Sequence, residues 1–439
     1  MSERYIPAEL PYLSTLLDER LAGTILADGP FRGWMIADCR LEQIKYRPGR
    51  NCLLTYHLQL ATKGGMLDVP VYLMACRPGE SHQVHAAAAK TATVQTPFSQ
   101  GLWHLDQLDS VLWIFPNDRK LRGIAALNDP DSLSSEVASQ IGGSRQRGKI
   151  EIIRYVAERS CTVRLRLEDG ATVSYGKFYR PGESDPAWNA IGSLWQSKSC
   201  RSGSLTIPEP LIRLDESESV WLREVRGVPL ERKLPEDLTG EWMIRTGRTI
   251  AELHKIGATI GSSSLPVIVE TERRQKLENA IELLAMVNGG QRVRLAELAT
   301  KLARKEPRNR PGNLAVLHGD LHLKNMIALE SGAIALIDLD NLCLGDPLID
   351  LGSFIAHLYY WHYWSREAGG SRPELLVEQL LAGYFEAAGE PLDEQSLRWQ
   401  IAAALIGERA VRCITRLKPG GRPLVDWLID LAAQTVEGL

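Results

Sequence analysis

Between Val316 and Gly352 the chain reads VLHGDLHLKNMIALESGAIALIDLDNLCLGDPLIDLG, and its acidic and amide side chains follow two short apolar runs. After Leu314–Leu317 come His318-Gly319-Asp320 and then Asn325; after Ile334–Ile337 come Asp338 and Asp340. Ser331-Gly332, between Ile327–Leu329 and Ala333–Leu336, predicts a hairpin turn joining two short strands. Such a hairpin folds the loop bearing Asp320 and Asn325 back beside Asp338. Asp and Asn oxygens are hard ligands, suited to a Mg²⁺ that also holds phosphate oxygens. A further carboxylate, kept off the metal, can orient a substrate hydroxyl and take its proton. Positioning, charge neutralisation and one base are what phosphoryl transfer requires.

His318-Gly319-Asp320-Leu321-His322-x-x-Asn325 followed by Ile337-Asp338 resembles the aminoglycoside phosphotransferase and choline-kinase family, small-molecule relatives of the protein kinases. Gly345-Asp346-Pro347-x-x-Asp350-Leu351 is similar to the next segment of that family. The joint pattern is specific where an isolated HGD is not. The resemblance implies Asp320 as catalytic base, Asn325 and Asp338 as metal ligands, and Asp350 as a structural brace of the catalytic loop. It also implies ATP and Mg²⁺ as cofactors. The fold expected is α+β and bilobal, protein-kinase-like, with a β-rich N-terminal lobe and a mainly helical C-terminal lobe.

The elements that must position these residues come earlier. Ile6–Leu26 is apolar at helical spacing and predicts one or two packing helices split around Pro11. From Ile44 the pattern turns strand-like, through Leu53–Leu60 and Val69–Cys76. It then repeats: Tyr46, Arg50 and Cys52 match Tyr155, Arg159 and Cys161, each 109 positions on (155 − 46, 159 − 50, 161 − 52). Arg77-Pro78-Gly79-Glu80 recurs as Arg180-Pro181-Gly182-Glu183, and Leu105-Asp106 with Ser110-Val111 as Leu214-Asp215 with Ser219-Val220. A period this long predicts a duplicated subdomain. The expected division is 1–140, an extra cap-like unit that degenerates from the lobe it copies; 141–228, the working N-terminal lobe; and 229–439, the helical lobe.

In the second copy Val173–Phe178 is a strand with one cation, Lys177, which suits nucleotide phosphates. The first copy has Met74 at the matching place and lacks that charge. The hairpin Val156–Val163 has no Gly-rich loop, so Ser160 and backbone N–H groups must cover the phosphates. No Glu follows at the usual helical spacing to pair with Lys177; Glu183 and Asp185 are the candidates. Val220–Gly227 resembles the passage between kinase lobes, with backbone groups of Glu224 and Val225 reading the adenine edge. Ile250–His254 is similar to a helix of the family, and His254 there reads as a packing histidine.

After Asp350, Phe354–Trp364 is the most aromatic stretch, and the resemblance implies an acceptor pocket there. His357, Tyr360 and Trp361 are its candidates. Arg409, Arg412 and Arg416 form a basic stripe, expected to pair with acidic neighbours. Glu367, Glu374 and Glu378 are the acidic residues a cationic aminoglycoside would need. The loose resemblance of architecture to bacterial sugar kinases such as maltokinases places a sugar or amino-sugar first, a choline-like amino alcohol second and an aminoglycoside third. The alternative is a catalytically silent pseudokinase that binds nucleotide or a partner. A protein kinase is disfavoured, because no activation segment separates Asp338 from Asp346.

The chain has 439 residues, net charge −3 and seven scattered Cys. That balance makes no case for nucleic acid or an anionic membrane as partner. No long apolar run or leader pattern appears, so a cytoplasmic enzyme with reduced thiols and a small-molecule hydroxyl acceptor is expected. No pattern bears on oligomeric state.

Overall fold

Runs rich in Val, Leu, Tyr and Thr fit a pleated, half-buried surface, and in the first half of the chain they form two long-stranded sheets. The computed structural model describes residues 4–91, 93–98, 100–142, 148–168, 173–237, 239–257, 265–307, 314–365, 372–389 and 393–438. It divides into two compact units, Met1–Asp185 with Leu211–Arg223 and Thr415–Pro419, and Pro186–Pro210 with Glu224–Ile414 and Gly420–Leu439. The architecture is α+β.

In the first unit, β1 (Met35–Arg47), β2 (Asn51–Thr62), β3 (Gly65–Cys76), β4 (Leu102–Leu105) and β5 (Ser110–Ile114) make one sheet of order β1-β2-β3-β5-β4. A second sheet uses β6 (Gly148–Val156), β7 (Ser160–Leu167), β8 (Val173–Phe178), β9 (Pro210–Leu214) and β10 (Ser219–Arg223), in the order β6-β7-β8-β10-β9. The two orders are the same, and so are the registers. Met74 lies opposite Leu53 and Val111, and Lys177 opposite Thr162 and Val220. Even the turn chemistry matches. Tyr46 and the N–H of Gly49 both bond Glu9, while Tyr155 and the N–H of Glu158 both bond Asp118.

Tyr72, Met74 and Trp113 of the first sheet share one apolar core with Tyr155, Cys161, Phe178 and Trp221 of the second. A boundary near residue 140 therefore separates two sheets of one unit. On the other face of the first sheet lie the helices Leu13–Leu17 and Glu19–Asp28. Their break falls at Asp18, whose side chain accepts from the N–H groups of Arg20 and Leu21, both at 3.0 Å. Pro11 precedes both helices, so the expected split around it is corrected. All seven cysteines are free thiols.

Glu158 stands at the β6–β7 turn with φ of 59°. Its buried carboxylate accepts from Arg119 (2.6 Å), Tyr72 (2.7 Å) and Arg47 (2.9 Å). These bonds hold an uncommon backbone conformation in place.

The second unit is mainly helical. Short strands β11 (Val228–Pro229), β13 (Met326–Ala328) and β14 (Ile334–Leu336) form one small sheet; β12 (Ala315–Leu317) and β15 (Cys343–Gly345) form another. Helix Glu241–Lys255 packs against helix Pro373–Ala388 through Gly247 and Gly383. A Cβ on Gly247 would run into the Leu380 carbonyl, and one on Gly383 into that of Ile244. The remaining long helices are Glu270–Val287, Arg292–Lys305, Pro347–Ser365, Glu394–Ala404 and Gly421–Glu437. Among the described residues no helix is long and apolar enough to cross a membrane.

Burial alone would push the Glu158 carboxyl up, but the bonds from Arg119 and Tyr72 and the charge of Arg47 outweigh it and bring it down to about 2. Its stabilisation is thus complete above the ordinary carboxylate range and is lost as pH falls towards 2. A lowering of about two pKa units is worth roughly 3 kcal/mol. Glu158→Gln is expected to cost about that much at pH 7 in denaturant melts, and to flatten the acid limb of stability between pH 4.5 and 2.

Candidate active site

The catalytic loop starts where β12 ends. β12 is fixed by antiparallel pairing with β15, Ala315 opposite Gly345 and Leu317 opposite Cys343. The chain then turns through Gly319 at φ of 75°, where a Cβ would meet the Asn341 carbonyl. Only glycine accepts both the conformation and the approach.

Asp350, on the first turn of helix Pro347–Ser365, reaches back under this turn. Its carboxylate accepts from the N–H of His318 at 2.7 Å and of Gly319 at 3.1 Å. His254 Nε2 lies 3.4 Å from the same carboxylate, and its Nδ1 lies 2.9 Å from the Tyr384 hydroxyl. Asp350 is 1 % exposed, so its carboxylate accepts the two loop N–H groups away from competing water. His254, read from the sequence as a packing histidine, is part of this clamp.

The hairpin follows as expected. Met326 pairs with Leu336 and Ala328 with Ile334, and Gly332 makes the turn at φ of 84°. The pairing continues one step beyond the strands, because the Ile337 N–H donates to the Asn325 carbonyl at 3.0 Å. His318 Nε2 meets the Ile337 carbonyl at 3.0 Å. Asp338, next in the chain, is therefore beside Asn325, and it sits in the left-handed region at φ of 61°. A non-glycine residue held there by well-paired neighbours is a mark of functional sites. Asn325 Nδ2 donates to the Asp320 carbonyl at 3.0 Å. Asn325 Oδ1 is the side-chain atom that this bond does not use. Asn325 Oδ1 and the Asp338 carboxylate are both hard oxygen donors and fit Mg²⁺.

The Asp320 side chain is partly exposed, and its Oδ2 lies 4.0 Å from His322 Nε2. The His322 ring stands 5.6 Å from the ring of His357. Burial, against the pull of Asp320 and aided by Arg409 and Arg412, lowers His322 to about 4. Burial and the charge of Arg409 also hold His357 well below its ordinary range. Both imidazoles are neutral at pH 7. Arg409 is 4 % exposed and lies in a widened helical turn, Leu405–Ala410. Its Nη2 donates to the Ser353 carbonyl at 3.0 Å and hydroxyl at 3.1 Å; its Nε is buried without a partner. The basic stripe read from the sequence thus separates. Arg409 and Arg412 act on the histidines beside Asp320, whereas Arg416 donates to the Ile44 carbonyl in the first unit at 2.9 Å.

Of the acceptor candidates, His357 faces the catalytic loop, Tyr360 shares its electrostatic surroundings with Arg412 and Arg409, and Trp361 is buried. Glu367 lies outside the described residues; Glu374 and Glu378 are exposed on their helix. A cavity of about 410 Å³ backs onto Gly319 and is lined by Arg273, Arg274, Trp399 and Glu408, and Asp320 is not in its wall.

Lys177 stands in the first unit on β8, its Nζ 5.9 Å from the ring centre of Tyr179. Both candidates to pair with it have an arginine partner: Glu183 accepts from Arg180 and Asp185 from Arg213. Ser160 opens β7 immediately after the pinned turn at Glu158. Glu224 and Val225 are half-buried and open the Glu224–Ile414 segment of the second unit.

Sequence reasoning named Arg409 only as one of a basic stripe and missed its burial and the role of His254. For His254 the signal was its place at a helix end four residues past Ile250. Arg409 carried none beyond an i, i+3 relation to Arg412.

Residues 200–399 match the model of the phosphotransferase enzyme family. No curated protein matches the chain. Similar solved structures include the following three. One, a candidate aminoglycoside phosphotransferase from Ralstonia eutropha JMP134, is 16 % identical at TM-score 0.49, over 70 % of this chain and 96 % of that one. The spectinomycin phosphotransferase APH(9)-Ia, in complex with ADP and spectinomycin, is 13 % identical at TM-score 0.47, over 69 % and 98 %. The macrolide 2'-phosphotransferase MphH from Brachybacterium faecium is 17 % identical at TM-score 0.44, over 70 % and 98 %.

Removing the clamp tests how the loop is held. Asp350→Ala would leave two buried amides unpaired at roughly 1–3 kcal/mol each. Thermal or denaturant unfolding should show a loss of about 2–5 kcal/mol. Hydrogen exchange at His318 and Gly319 should speed up with it.

Proposed function

We propose that this chain, whose residues 200–399 match the model of the phosphotransferase enzyme family, is a small-molecule kinase that moves the γ-phosphate of ATP to a hydroxyl of a sugar-like acceptor. One observation carries the reading: the Ile337 N–H bond to the Asn325 carbonyl, which brings Asn325, Asp338 and the Asp320 loop into one place.

Asp320 orients the acceptor hydroxyl and takes its proton as the new O–P bond forms and the bond to the leaving ADP breaks. Asn325 Oδ1 and the Asp338 carboxylate hold Mg²⁺, which supplies neutralisation of phosphate charge when bound. The neutral His322, 4.0 Å from Asp320, adds no positive charge that would weaken Asp320 as a base. Lys177 is assigned to the nucleotide phosphates, with Ser160 and backbone N–H groups of its hairpin covering them. Backbone groups of Glu224 and Val225 are assigned to the adenine edge. These roles rest on the chemistry of each residue and on the motif resemblance.

Electrostatics around Asp320 support a neutral or anionic polyol as acceptor. The guanidinium groups of Arg409 and Arg412 and the ammonium of Lys324 all act on His357. A polycationic aminoglycoside or a quaternary ammonium group would meet like charge there. His357 and Tyr360 remain the polar candidates for the sugar hydroxyls, and Trp361 an apolar wall. The chain is proposed to work in the cytosol.

The test is ADP release with Mg²⁺ against sugars, amino-sugars, amino alcohols and aminoglycosides. Acceptor-dependent turnover by a neutral sugar is expected, with a fall of at least ~10³-fold in kcat for Asp320→Ala. Nucleotide binding without turnover of any acceptor would instead support a pseudokinase.

A further inference from the structure

The duplicated sheets allow one position to be read against its twin. In the second sheet, Arg213 on β9 bridges Asp185 at the start of a helix and Asp215 just past the strand, the latter at 2.7 Å. A single cation there ties helix Ser184–Trp195 to the strand end. The matching places in the first sheet follow from the shared framework. Gly79 and Ser81 bond Asp109 as Gly182 and Ser184 bond Glu218. Asp109 and Glu218 share a positive φ, 42° and 47°. By this alignment His82 replaces Asp185, His104 replaces Arg213 and Asp106 keeps the place of Asp215.

The first sheet has therefore kept the carboxylate and lost the guanidinium. His82 Nε2 lies 2.8 Å and His104 Nε2 3.9 Å from the same Asp106 oxygen. Ligand atoms of the three lie within 4.8 Å of one another, the one such group among the described residues. Donors on a tetrahedral zinc ion stand about 3.3 Å apart, between the two observed separations. His85 stacks on His104 at 5.0 Å between ring centres.

We propose that His82, His104 and Asp106 bind a transition-metal ion, Zn²⁺ in the first instance, which takes the place that the Arg213 guanidinium holds in the second sheet. Imidazole nitrogens with one carboxylate select such ions over Mg²⁺. The site is separate from the phosphotransfer residues and its role is to fasten helix Ser81–Ala88 to the end of β4.

The test uses the full chain, free of any histidine tag and stripped with chelator, titrated calorimetrically with Zn²⁺ and with Mg²⁺. One Zn²⁺ per chain is expected, with a rise in Tm and no comparable Mg²⁺ binding. His82→Ala should weaken Zn²⁺ at least tenfold. The double variant His82→Asp, His104→Arg copies the second sheet's bridge, and it should lose Zn²⁺ binding while its Tm becomes independent of the metal. Because His82 is exposed, His82→Ala is expected to fold and can decide the matter alone. No Zn²⁺ binding by the wild type, or binding unchanged in His82→Ala, would overturn the assignment.

Discussion

A buried carboxylate accepting two backbone amides is an expensive thing to build unless the charge is fully satisfied. Asp350 meets that condition with the N–H groups of His318 and Gly319 and with His254. The turn that it holds decides where Asp320 points away from β12, and Asn325 is then fastened to that loop by its own amide. From Asn325 the pairing passes through Ile337 to Asp338. One charge on the first turn of a helix thus sets the frame for Asp320, Asn325 and Asp338 together. His254 and Tyr384 extend the support to helices Glu241–Lys255 and Pro373–Ala388, whose close approach requires Gly247 and Gly383.

Much of this was legible from residue type and spacing. The Ser331-Gly332 turn and the apolar runs on either side of it specify a hairpin by local chemistry, and hairpin closure by itself brings Asn325 to Asp338. The repeat was legible because paired turns need the same residues: the Tyr and the bonded N–H at one end, the Arg-Pro-Gly-Glu turn and its Ser at the other. That the strand orders and registers coincide makes Met74 and Lys177 occupants of one position with opposite character, one buried among apolar neighbours and one charged.

What was not legible depends on contacts distant in sequence. The break at Asp18 rather than Pro11 is a capping choice between two acceptable helix starts. The role of His254 depends on Asp350 and Tyr384, roughly a hundred residues away. Arg409 reads in the sequence only as one of a stripe of three arginines expected to pair with acidic neighbours. It is instead a buried group in a widened turn, and Arg416, on the same stretch, belongs to the other unit. Glu158 was not singled out in the sequence, because the groups it collects, Arg47, Arg119 and Tyr72, come from parts of the chain far from it.

The central claim is that Asn325 and Asp338 form a metal site for nucleotide, and it is tested most directly by calorimetric titration of ADP with and without Mg²⁺. Wild type should bind ADP at least tenfold more tightly with Mg²⁺ than without it. In Asp338→Ala the two affinities should converge while metal-free ADP binding persists. ADP binding that ignores Mg²⁺, or a Mg²⁺ effect that survives in Asp338→Ala, would contradict the account.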